Sequence, residues 1–176
     1  MKFEGLSVHG AYRIEPDRLS DSRGFFGRIF CEQELAGIGV EFDLVQASIS
    51  FNVAKGTLRG MHFQDLDFAP EGKIVRCNKG SIQDVLLDTR PQSPTFGQWC
   101  SIELSADNQM SVLVPPGCAH GFLTLVDDTE ILYMMSGVYE PTYQKGVRFN
   151  DPFFSVEWRI DPVVISDRDQ NFPDFK

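Results

Sequence analysis

The sequence predicts a mainly β protein, a β-sandwich or barrel with a few short helices. Three observations carry that expectation. Short runs of β character follow one another at fairly regular spacing, and clear turn signals separate them. The 176 residues include 15 Phe, 15 Gly and 10 Pro, a mixture suited to strands and turns rather than a helical bundle.

The elements read in order. "VHGAYRIEPDRLSDSRGFFGRIF" reads as two short strands around a polar turn. "CEQELAGIG" is the best short helix, ended by Gly37 or Gly39. Strand runs follow: "FDLVQASISF", "KGTLRGMHFQ", "GKIVRCNKGSIQDVLLDTR", "GQWCSIELS", "MSVLVPPG", "AHGFLTLVD" and "EILYMMSGVYE". The turns between them are "PEGK", "NKGS", "RPQSPTFG", "SADNQ", "PPGCAHG" and "VDDTE". The closing stretch, "NDPFFSVEWRIDPVVISDRDQNFPDFK", mixes aromatics, Pro and charge, and reads as a short helical or irregular tail packed on the barrel. A boundary near Asp151 would leave a tail too short to fold alone, so residues 1–176 read as one domain.

Composition narrows the function. A net charge of −9 argues against bulk attraction to nucleic acid or an anionic membrane. An anionic small ligand would need a local cluster of Arg and Lys. The four cysteines are widely spaced and form no CxxC, which fits buried thiols in a reducing cytoplasm rather than a zinc site or a disulfide framework. No continuous apolar stretch of about 18 residues is present, so neither a membrane span nor a signal peptide is expected.

Among three histidines, His62 sits inside a strand-like run, "GTLRGMHFQ". Strict alternation puts Leu58, Gly60, His62 and Gln64 on one face and Arg59, Met61 and Phe63 on the other. A bulge at Gly60 would re-aim one of the two functional side chains. Three roles stand open for His62: a satisfied core residue, a metal ligand or a base. The close His pair usual for a metal-binding jelly roll is missing, because Phe63 and Gln64 follow directly, and no metal is expected. Acid–base work would need partners: Asp167 or Asp169 to orient the imidazole, Tyr133 as a phenolic acid, and Lys73 as a cation beside an enolate. Taken alone, each of these also reads as surface or core, and the pattern does not bring them together.

In order along nearly the whole chain, the motifs resemble the dTDP-4-dehydrorhamnose 3,5-epimerase family. They are "DSRGFF" (21–26), "LRGMHFQ" (58–64), "GKIVRCNKGSIQDVLLDTR" (72–90), "SPTFGQW" (93–99), "ELSADN" (103–108), "PPGCAHGFLTL" (115–125), "ILY" (131–133), "GVRFNDP" (146–152) and "SDRD" (166–169). The resemblance implies a cupin-type jelly roll, a homodimer whose N-terminal strands cross between subunits, and no cofactor or metal. It implies His62 as general base, Asp169 as the carboxylate paired with it, Tyr133 as the acid and Lys73 as the cation beside the C4 carbonyl. His120 is implied as a sugar-pocket residue. Arg23, Arg59 and Arg168 correspond to positions that hold nucleotide or phosphate, and Phe26 and Gln46 to the nucleotide pocket. Arg28 and Tyr139 complete the substrate-binding set.

The implied substrate is a nucleotide-diphosphate 4-keto-6-deoxysugar, inverted at C3, C5 or both. Three positions depart from the family pattern. Met134 follows the tyrosine where a lysine is common, Val138 and Tyr139 replace two adjacent tyrosines, and Arg28 stands where a glutamate is expected. The first two bear on whether one centre or two is inverted. Arg28 raises CDP as an alternative nucleotide, since the cytosine N3 accepts where the thymine N3–H donates. A 3,4-ketoisomerase and a non-catalytic sugar-nucleotide binding protein are the competing classes.

Overall fold

The computed structural model describes residues 1–175. Two sheets face each other. One has six strands in the order β1 (Lys2–Gly5), β2 (Tyr12–Glu15), β10 (Ser111–Val114), β7 (Lys73–Lys79), β12 (Thr129–Met135), β5 (Gln46–Asn52). The other has five, in the order β13 (Gln144–Gly146), β6 (Leu58–Gln64), β11 (Cys118–Thr124), β8 (Ser81–Asp88), β9 (Trp99–Ser105). Every pairing within these sheets is antiparallel. A two-stranded hairpin, β3 (Arg18–Asp21) and β4 (Gly24–Gly27), joins neither sheet. The fold is mainly β with two short helices, α1 (Glu32–Ala36) and α2 (Asp167–Gln170), as the sequence predicts.

The β runs become strands because alternate side chains bury against the facing sheet. Val75 and Cys77 of β7, Ile82 and Leu86 of β8, Phe122 of β11 and Ile131 of β12 meet in the central core. A second apolar layer lies outside the six-stranded sheet, where Leu35 of α1 and Phe42 pack on Ile74, Leu113 and Met134. A third lies outside the five-stranded sheet, where Val147 and Phe154 of the C-terminal stretch cover Met61, Val85 and Leu87.

The structure adds to the expected elements. The N-terminal stretch read as two strands is three, because β2 joins the large sheet while β3 and β4 form their own hairpin around Ser22 and Arg23. β1 and β13, at sheet edges, are too short and polar to stand out in the sequence. Helix α1 ends at Gly37, and the left-handed residue in the following turn is Gly39, at φ +79°. The tail is irregular apart from α2 and is tied to the barrel. Gln83 of β8 donates from Nε2 to the Glu157 carbonyl at 2.9 Å and accepts from the Arg159 N–H at 2.8 Å, while within the tail the buried Asp151 carboxylate accepts from the backbone N–H groups of Phe153 and Phe175, at 2.9 and 2.7 Å.

Candidate active site

Between the sheets, the space is apolar at one end and polar at the other. The polar end opens into a cavity of about 410 Å³. Its walls include Arg59, His62 and Gln64 from β6, Lys73 from β7, Tyr133 and Met135 from β12, Gln46 from β5, and Tyr139 from the segment after β12. A second cavity of about 390 Å³ shares Arg59 and His62 and adds Arg168 and Asp169 of α2.

Arg59 and His62 reach the same cavities despite the alternation that would separate them. The ladder explains this. His62 pairs with His120, but Arg59 pairs with Phe122, so β6 holds one extra residue against β11. Gly60 makes the irregularity sterically possible. Its φ is +134°, and a Cβ there would lie 2.5 Å from the Cα of Gly121. The re-aimed Arg59 donates from Nε to Asn52 Oδ1 at 2.7 Å.

His62 Nε2 donates to Asp169 Oδ1 at 2.7 Å, while Asp169 Oδ2 accepts from the Gly60 N–H at 3.3 Å. An ionised carboxylate only accepts, so Nε2 carries a ring proton, and in the neutral imidazole Nδ1 is then the nitrogen with the lone pair. Burial would raise the Asp169 carboxyl, but the hydrogen bond and charge of His62, with the Gly60 N–H, hold it below the usual carboxylate range. Ser166 Oγ caps α2 by accepting from the Asp169 N–H at 3.2 Å, which fixes this side chain beneath the imidazole. Phe172 sets its ring edge-on to His62, with centroids 6.0 Å apart.

On the opposite wall, Tyr133 packs edge-on to the His120 ring at 6.0 Å. Burial first, and the Asp84 charge second, push the Tyr133 phenol far above its ordinary range, so it stays protonated. His120 stands beside His62, on β11 of the five-stranded sheet, but does not line the cavity: it is buried, with Nε2 donating to Asp84 Oδ2 at 2.8 Å. Asp84 is fully buried and its Oδ1 has no partner among the described residues. Burial raises its carboxyl against the pull of His120.

Lys73 Nζ pairs with Glu71 Oε1 at 2.8 Å, and both side chains are largely buried. Glu71, Gln64, Asp84 and Asn52 are polar residues that the sequence reading did not single out. Two signals were available: Gln64 shares the face of His62, and Asp84 is an acid in the middle of the apolar strand "SIQDVLLD".

The cavity thus gathers His62, Tyr133, Lys73, Arg59, Gln46 and Tyr139, with Asp169 and Arg168 just behind His62. Besides His120, it does not gather three others. Arg23 pairs with Asp21 on the exposed hairpin, Phe26 is 74% exposed there, and Arg28 Nη1 is engaged by Glu34 Oε1 at 2.7 Å. Met134 also departs from expectation. It packs in the layer outside the six-stranded sheet, so a change at this position does not alter the cavity beside Tyr133; Met135 does line it. Among the described residues, no three His, Cys, Asp or Glu side chains cluster as a metal site.

A jelly roll with a carboxylate-paired histidine on one wall of a pocket and a protonated tyrosine on the other has the layout of an acid–base isomerase. The chain belongs to the dTDP-4-dehydrorhamnose 3,5-epimerase family, whose pattern matches residues 5–176. A dTDP-4-dehydrorhamnose 3,5-epimerase of Sinorhizobium fredii is 38% identical over 174 residues, covering 98% of this chain and 89% of that protein. The crystal structure of dTDP-4-dehydrorhamnose 3,5-epimerase from Bacillus anthracis, with TDP and PPi bound, superposes with a TM-score of 0.94. It is 36% identical, with 99% of each chain covered. A 3′-monoepimerase from Streptomyces bikiniensis in complex with dTDP-quinovose superposes at 0.87. It is 32% identical, covering 96% of this chain and 85% of that one.

Proposed function

We propose that the protein inverts the carbons flanking the keto group of a nucleotide-diphosphate 4-keto-6-deoxyhexose, with His62 as base and Tyr133 as acid. One observation carries this reading: the two side chains line the same cavity from opposite sheets. A 4-keto group acidifies the hydrogens on C3 and C5. His62 Nδ1 takes one of them, and the C–H pair moves into the carbonyl as the enolate forms. The Lys73 ammonium offsets the negative charge that develops on O4. The Tyr133 hydroxyl returns a proton to the opposite face, which inverts the centre. Asp169 stabilises the imidazolium and fixes its tautomer. Each step is a proton transfer, so the reaction consumes no redox equivalent.

Arg59 and Arg168 flank His62 and suit the diphosphate, and dTDP is the nucleotide we assign. Arg28 is committed to Glu34 in the chain, which leaves the CDP alternative without support from its position. Comparing affinities for dTDP and CDP decides that point.

The active form we propose is a homodimer. The hairpin exposes Leu19, Phe25 and Phe26, and the outer face of edge strand β5 exposes Ile49 and Phe51. A two-stranded hairpin alone is at best marginally stable in water. Docked on a second copy, it would cover apolar surface and offer Arg23 and Phe26 to a nucleotide. We place the enzyme in the cytoplasm: its four cysteines are free, and burial pushes the thiols of Cys77 and Cys100 up to about 11 and that of Cys118 to about 12. No described helix is long and apolar enough to cross a membrane.

The test is proton NMR of a dTDP-4-keto-6-deoxyhexose with the protein in heavy water. Exchange at C3, C5 or both supports an epimerase and counts its centres. Migration of the carbonyl makes the protein a ketoisomerase instead, and tight binding without exchange makes it a binding protein.

A further inference from the structure

The segment Val138–Glu140 crosses the open mouth between the two sheets, running from the end of β12 toward β13. One glutamine from each sheet pins it. Gln46 of β5 accepts from the Tyr139 N–H through Oε1 at 2.8 Å. Gln64 of β6 accepts from the Glu140 N–H through Oε1 at 2.8 Å and donates from Nε2 to the Val138 carbonyl at 3.1 Å. Between these anchors the Tyr139 ring lines the cavity, and its hydroxyl donates to Gln144 Oε1 at 2.6 Å.

Gln64 does more than hold the strap. Its Nε2 also donates to Glu71 Oε2 at 3.2 Å, and the other oxygen of that carboxylate holds Lys73 Nζ. Both amide protons and the carbonyl are therefore engaged, and the side chain is only 3% exposed. This arrangement fixes the orientation of the amide: nitrogen toward a carboxylate and a carbonyl, oxygen toward an N–H. The Glu71 carboxylate is shared between a strap anchor and the cation of the cavity. In buried networks of this kind, loss of one member leaves its partners unsatisfied and free to shift.

We propose that Gln64 is a positioning residue that couples the seating of the Val138–Glu140 strap to the placement of Lys73, acting through Glu71. The proposal rests on the role assigned above to Lys73. When the strap is seated around a sugar, Gln64 is held against Glu71 and Lys73 Nζ is held at the cavity wall. When the strap lifts, Gln64 loses two of its three partners and Glu71 loses its fixed donor.

Gln64→Met keeps length and removes all three hydrogen bonds. Gln64→Glu keeps shape and sets an acceptor against Glu71, and serves if the first variant folds poorly. Two readouts decide. In full-length enzyme with 13C-labelled lysine, the Lys73 13Cε resonance should move in Gln64→Met and also in Val138→Gly, which loosens the strap at an exposed residue that does not line the cavity. In a kinetic cycle, Gln64→Met and Glu71→Gln should each lower kcat by roughly 10-fold, and the double variant should lose little more than the worse single. A stationary Lys73 resonance in both variants, or kcat losses that multiply, would overturn the proposal. If the wild type exchanged no ring proton, the assigned reaction would fail, and the Lys73 resonance would still decide the coupling.

Discussion

His62 Nε2 and Asp169 Oδ1 lie 2.7 Å apart although 107 residues separate them in sequence. The contact puts a ring proton on Nε2, which makes Nδ1 the nitrogen that the proposed mechanism uses as base. In Asp169→Asn the amide can donate to the imidazole instead, which stabilises the wrong tautomer. We expect kcat to fall by roughly 10²- to 10⁴-fold while dTDP affinity changes little. Steady-state kinetics beside nucleotide titration checks this; a loss of affinity as large as the loss of kcat would show that Asp169 builds the pocket instead.

Tyr133 sits on the sheet facing His62, and its phenol stays protonated through the working pH range. In the proposed mechanism, Tyr133→Phe removes the returning proton but not the base. Product formation should slow by roughly 10²-fold or more, while exchange of the substrate proton with heavy water is retained better. Equal loss of both rates would remove Tyr133 from the acid role.

The hairpin β3–β4 gives a prediction about assembly. Phe26→Asp or Leu19→Asp puts a carboxylate on surface that the proposed dimer buries. Light scattering should read twice the chain mass for the wild type and a lowered mass for either variant, with weaker dTDP binding. A wild-type monomer would refute the proposed assembly.

Much of this was legible in the sequence, and the misses have physical causes. The β runs from Gln46 to Met135 were visible because they alternate or are continuously apolar. β1 and β13 were not, because edge strands bury little and carry no such pattern. Alternation placed Arg59 away from His62; the extra residue at Gly60 depends on the close approach of Gly121, a tertiary contact invisible in "LRGMHFQ". Met134 looked like a neighbour of the acid because it is next in sequence, yet strand geometry sends it into the other layer. Glu71 went unnoticed because a carboxylate two residues from a lysine resembles any surface pair until its burial is seen.

Away from the site, Asp88 anchors the loop after β8. Its carboxylate accepts from Arg90 Nε and Nη2 at 2.8 Å each, and from Ser93 and Thr95 hydroxyls at 2.5 and 2.6 Å. Burial opposes ionisation, but these donors outweigh it and lower the pKa from 3.8 to about 2. The folded value lies below the unfolded one, so the stabilisation is complete above that unfolded value and is lost as pH falls toward about 2. Asp88→Asn should therefore lower Tm by a constant amount between about pH 5 and 7, with the gap to wild type narrowing below about pH 4. Thermal unfolding across that range checks the sign; a gap that widens in acid would contradict it.

The central claim is that His62 removes a ring proton next to the keto group. The most direct measurement is NMR of a dTDP-4-keto-6-deoxyhexose in heavy water, with wild type and His62→Ala side by side. With wild type, deuterium should appear at C3, C5 or both. With His62→Ala none should appear above background, while dTDP binding is largely retained. Exchange by His62→Ala at near wild-type rate would contradict the claim.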